Sequence, residues 1–106
     1  MFVAYPMLII FNYTSSVLKD VRITSTHPLW TDNCKKIKKN NNKSLGLGKY
    51  TQNGVTDIIL NFTDDNGNIH EIIAIKDICM KGMPKVKIFV KDGPNGTYIA
   101  DFKTEY

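Results

Sequence analysis

Arginine, histidine and cysteine are scarce in this chain. Of its 14 Lys and Arg residues, only Arg22 is an arginine, and there are 2 histidines (His27, His70) and 2 cysteines (Cys34, Cys79). Two cysteines are too few for the disulfide framework of a small secreted scaffold. They stand either as two independent, partly buried thiols or as one bridge tying a long loop to the strand that ends near Ile78. Two histidines leave little room for a nucleophile–base pair. His70 follows a strand pattern beside Glu71 and reads as a surface or half-buried side chain. His27 with Cys34 is the one Cys/His arrangement available for nucleophilic catalysis, and no motif supports it. No catalytic residue is therefore expected.

Long apolar runs are also missing, since nothing approaches the ~20 residues of a membrane helix. The apolar opening, Met1 to Phe11, has no basic residue before it, a proline at Pro6 and no small-residue cleavage pattern. It reads as a lead segment and a first strand rather than a signal peptide. Localisation is left open by this: cytoplasmic, or secreted if a signal peptide has been removed. No stretch carries helical periodicity with caps, and there are no internal repeats.

Alternation and turns are present instead. Gln52-Asn53-Gly54, the run Asp64 to Asn68 and the run Lys91 to Gly96 punctuate the second half, with period-two patterns between them. Strands are expected over Met7–Thr14, Val17–Thr26, Ser44–Tyr50, Val55–Phe62, Ile69–Ile75, Lys85–Lys91 and Tyr98–Phe102. Ser25 to Lys43 is expected to be the longest irregular stretch, with room for a short strand around Lys36 to Lys38. Ile69–Ile75 is apolar on both faces and predicts a central strand. Asn66-Gly67 predicts a tight hairpin with both central residues at positive φ. The segment from Lys76 to Pro84 suits a crossing between sheets. These features specify one all-β domain over residues 1–106, a β-sandwich of about seven strands with immunoglobulin-like character. A small, partly open β-barrel is the alternative.

Apolar residues make up 42% and charged residues 23%, a balance that a folded core needs and disorder lacks. The basic side is nearly all lysine, with abundant Asn and Ile, which fits an AT-rich bacterial genome. Lysine is then the default filler, and the +4 net charge permits an anionic partner without demanding one. The run Lys35, Lys36, Lys38, Lys39 to Lys43 is the densest charge. It reads as a solvated loop first, and as a contact for phosphates or acidic lipids second.

Metal and cofactor motifs fail on spacing. Cys79 to Met83 lacks the histidine that a blue-copper loop needs. Thr63 to Asn68 has its glycine in the wrong place for a calcium loop. No cofactor is expected. Three glycosylation-type triplets begin at Asn12, Asn61 and Asn95, and two of them lie inside strands.

The function expected from these residues is a non-catalytic module that recognises a protein partner in an inhibitor, immunity or accessory role. A carbohydrate- or cell-surface-binding module is the alternative and calls for a row of exposed aromatics, with Phe89 and Tyr50 as candidates. Nucleic acid and membranes are the least favoured partners. The residues expected to bind are Leu29 and Trp30 on the loop, Ile9 and Phe11 on the first strand, and Lys35, Lys36, Lys38 and Lys39. The first strand carries no charge to protect an edge, so it is expected either to lie under the Trp30 loop or to pair with a partner or a second copy.

Overall fold

The computed structural model describes residues 7–26, 29–46, 55–79 and 85–105. Among these residues there are eight strands: β1 (Met7–Tyr13), β2 (Leu18–Thr26), β3 (Leu29–Ile37), β4 (Asn42–Gly46), β5 (Val55–Thr63), β6 (Ile69–Cys79), β7 (Lys85–Asp92) and β8 (Tyr98–Glu105). They form two four-stranded sheets, ordered β4-β1-β7-β8 and β3-β2-β5-β6. All pairings are antiparallel except β1 with β7, which run parallel and in register from Met7↔Lys85 to Tyr13↔Lys91.

Period-two alternation decides which side chains meet between the sheets. Leu8 and Ile10 of β1 and Val86, Ile88 and Val90 of β7 point inward from one sheet. Val21 and Ile23 of β2 and Ile58, Leu60 and Phe62 of β5 point inward from the other. All are at most 1% exposed, so they form the packed centre. The β5–β6 and β7–β8 hairpins, the inward face of β2 at Val21 and Ile23, and a change of sheet between β6 and β7 agree with the sequence pattern, although β6 runs on through Cys79.

Four expectations are corrected. The stretch Ser25 to Lys43 is mostly the strand β3 and the start of β4, so Leu29 and Trp30 sit on a strand. β1 is an interior strand, flanked by β4 and β7, so its backbone is not free to pair with a partner at Ile9 or Phe11. β6 is an edge strand rather than a central one. Its Ile73 stands 60% exposed on the outer face, so the apolar residues on that face reflect partial cover only. In the β5–β6 turn only Gly67 has positive φ, at 81°, and its N–H closes the turn on the Asp64 carbonyl at 3.1 Å. That is a wider loop than a two-residue hairpin. The turn expected at Gln52-Asn53-Gly54 and the candidates His27 and Tyr50 fall outside the described residues.

One end of the sandwich is held by a buried asparagine. Asn12, at the end of β1, is 0% exposed. Its Nδ2 donates to the carbonyls of Ser16 (2.8 Å) and Ile37 (2.9 Å), and its Oδ1 accepts from the Thr14 N–H (3.0 Å) and hydroxyl (2.6 Å). Its backbone N–H donates to Asn41 O (2.9 Å), and its carbonyl accepts from the Asn40 N–H (2.8 Å). The side chain is thus fully satisfied, as a buried amide must be. It ties together two of the places where the chain passes between sheets, β1 to β2 and β3 to β4. The triplet at Asn12 is therefore a structural element and no glycan acceptor.

Truncating Leu60 or Ile88 to Ala should cost about 2–5 kcal/mol in urea unfolding, because each leaves a cavity in a packed interior. Ile73→Ala, on the outer face, should cost no more than about 0.5 kcal/mol. A loss under about 0.5 kcal/mol at both inner positions would mean the faces are inverted.

Candidate binding surface

The outer face of the β4-β1-β7-β8 sheet is built by the same alternation that buries its inner face. With Leu8, Ile10 and Asn12 turned inward, Ile9, Phe11 and Tyr13 turn outward. On β7 the outward positions are Lys85, Lys87, Phe89 and Lys91. The parallel register sets Phe11 directly beside Phe89 and Tyr13 beside Lys91.

Three aromatic rings gather there. Phe11 and Phe89 stack with centroids 5.1 Å apart and 25° between planes, and Tyr13 and Phe89 stack at 5.9 Å and 14°. Phe11 and Tyr13 lie 5.9 Å apart, tilted by 38°. Tyr13 is 48% exposed, and Ile99 on neighbouring β8 is equally open. The rings form a ladder whose faces are turned to one another. Charged pairs border it: Lys91 reaches Asp101 at 2.9 Å, and Lys87 reaches Glu105 at 3.0 Å. The Lys87 hydrogen bond and charge hold the Glu105 carboxyl below its ordinary range.

The residues singled out from the sequence fall in separate places. Ile9 and Phe11 belong to this face. Leu29 (77% exposed) and Trp30 (45% exposed) lie on β3 of the other sheet. Trp30 is paired with the inward Ser25, so it flanks the open side of the sandwich rather than capping it from a loop. Lys35 lines a shallow concavity with Arg22, Asn33 and Cys34, whereas Lys36 and Lys38 line another with Lys43. The charge of Lys39 adds slightly to what holds the Asp65 carboxyl below its ordinary range. Tyr13 was not legible as a surface residue. The signal for it was its two-residue step from Phe11, together with the break that Phe89 makes in the lysine pattern of β7.

Both cysteines are free thiols. Cys34 is half-buried, and burial pushes its thiol up from the ordinary range; Cys79 is exposed. Among the described residues no group of three His, Cys, Asp or Glu side chains is placed to hold a metal ion.

Among the described residues His70 has one polar partner. Its Nε2 lies 2.8 Å from Oδ2 of Asp64, which is 3% exposed. The His70 ring packs on Phe62 at 5.2 Å and meets Tyr98 edge-on at 4.6 Å. Oδ1 of Asp64 accepts the N–H groups of Asn66 (2.8 Å) and Asn68 (3.0 Å). The imidazole is thus spent on pinning the β5–β6 turn against Tyr98 of the facing sheet. Among the described residues no hydroxyl or thiol is hydrogen-bonded to it as a nucleophile would be.

The His70 hydrogen bond, with help from the two backbone N–H groups, holds the Asp64 carboxyl below its ordinary range, although burial pushes the other way. A depressed carboxyl stabilises the fold above its unfolded pKa of about 3.9 and loses that contribution as pH falls through the lower folded value. Asp64→Asn should therefore be less stable than the parent at pH 7, and the gap should close below about pH 4. Urea unfolding across pH 3–7 checks this; a gap independent of pH would contradict it.

No protein-family model matches the chain, and no curated protein matches it. A solved structure described as "NMR structure of the protein from Eubacterium rectale" has the same fold, with a TM-score of 0.71, 10% identity, and coverage of 92% of this chain and 86% of that one. At that identity the likeness is one of fold.

Proposed function

We propose that this protein is a non-catalytic binding module that recognises a protein partner through the outer face of the β4-β1-β7-β8 sheet. The observation that supports this is the partly open aromatic ladder Phe11, Phe89 and Tyr13, with Ile9 and Ile99 beside it and paired charges at its margin. Aromatic centres inside a polar rim are the usual anatomy of protein interfaces, where Tyr and other large rings carry much of the affinity. A flat, rigid sheet adds little ordering cost, because the side chains already hold one another in place.

The ring geometry also separates this reading from carbohydrate recognition. A sugar stacks on an open ring face. Here the rings are stacked on one another. Ile9 and Phe11 act through their side chains, since β1 already has neighbours on both sides. An inhibitor, immunity or accessory role is the biological setting that such a module fits, by analogy of fold alone.

The test is a double substitution, Tyr13→Ser with Phe89→Ser, in the full chain. The variant should keep its unfolding midpoint within the range of surface changes. Its affinity for the protein that the parent captures from source-cell lysate, purified and titrated, should fall about 30-fold or more, the loss expected for a hot-spot cluster. Unchanged affinity would overturn the proposal, as would saturable glycan binding by the parent that the double variant loses.

A further inference from the structure

Of the lysines described, three are ion-paired and the others, on both sheets, are not. Lys19, Lys87 and Lys91 each reach a carboxylate, at 3.7, 3.0 and 2.9 Å. Lys36, Lys38 and Lys43 reach none among the described residues. These three line a single open concavity of about 370 Å³, together with Asn41, Asn42 and the buried Ile37. No carboxylate lines it.

The walls come from both sheets: Lys36 from β3, Lys38 from the turn after it, and Lys43 from β4. They face one space only because the chain reverses there, and the reversal is rigid. Asn40 sits in the left-handed region at φ 62°. Its N–H is bound to Asn12 O, Asn41 O accepts from the Asn12 N–H, and the Ile37 carbonyl accepts from Asn12 Nδ2. The frame is thus preorganised by a buried network, while the lysine stems remain exposed. Gathering like charges without a counter-charge raises the local potential and attracts anions.

We propose that this concavity binds a compact, multiply charged phosphate ligand of the di- or triphosphate class. Lysine ammonium groups suit phosphate oxygens as point charges, and the amides of Asn41 and Asn42 add neutral donors. The volume falls within the range of about 300–1,000 Å³ typical of small-molecule sites. A nucleic acid strand fits less well. It needs cations spaced along a track and rings with free faces for its bases, and the aromatic ladder lies on an outer face with its ring faces stacked.

Amide NMR titration of the full chain with pyrophosphate and tripolyphosphate, at constant ionic strength, tests this. Saturable shifts should be confined to Lys36, Lys38 and the 41–43 segment, with sulfate much weaker. Lys36→Gln and Lys43→Gln, each exposed and so tolerated by the fold, should each weaken binding about tenfold, the value of one charge-assisted hydrogen bond. The proposal is overturned by an absence of saturable shifts. It is equally overturned by shifts spread over Lys85 to Lys103, by unchanged affinity in Lys43→Gln, or by binding to a single-stranded oligonucleotide or phosphatidylserine vesicles that exceeds that of tripolyphosphate.

Discussion

The side chain of Asn12 is the constraint on which both surfaces of this protein depend. An amide buried among aliphatic residues is costly unless every donor and acceptor is paired, and here all are. Its partners are not neighbours on one strand. They lie at Thr14 and Ser16, where β1 gives way to β2, and at Ile37, where β3 ends. Hydrophobic burial brings the two sheets together but is indifferent to small slides between them. The asparagine supplies direction, because its hydrogen bonds are met in only one relative placement of the two crossings.

The remaining polar groups at that end extend the same device. Asp92 accepts the Ser15 N–H at 3.0 Å, and Asp65 accepts the Val17 N–H at 3.1 Å, which holds the Asp65 carboxyl below its ordinary range. Asp64 is spent on the β5–β6 turn and on His70. The carboxylates clustered near the crossings therefore satisfy backbone donors rather than offering a vacant acidic site. Recognition is left to what this scaffold holds still: a stacked aromatic ladder on one sheet and a lysine-lined concavity at the β3–β4 reversal.

Strands buried on one face were legible in the sequence, because burial writes a two-residue period into them. β2, β5 and β7 show it, and so do the two hairpins with their Asp, Asn and Gly turns. β3 was not legible. It is an edge strand on which only Ile37 is buried, so its Asn and Lys residues resemble a loop. The interior position of β1 was hidden for a different reason. Its parallel partner, β7, lies far along the chain, and local pattern carries no record of long-range pairing. The two apolar faces of β1 did register that position, since Phe11 needs Phe89 as cover, but the same pattern also fits an unprotected edge. Asn12 and Asp64 were read as a glycosylation-type triplet and as turn filler. Only tertiary contact reveals them as buried hubs.

Urea unfolding of Asn12→Ala against the parent is the most direct measurement of this account. The substitution orphans the Ile37 carbonyl and the Thr14 N–H, each worth about 1–3 kcal/mol when buried and unpaired, while the Ser16 carbonyl keeps the Thr14 hydroxyl at 2.9 Å. A loss of about 2 kcal/mol or more is predicted, with urea sensitivity of the folded chain otherwise parent-like. A loss below about 0.5 kcal/mol, the scale of an ordinary surface change, would contradict the claim that this asparagine fixes the sandwich.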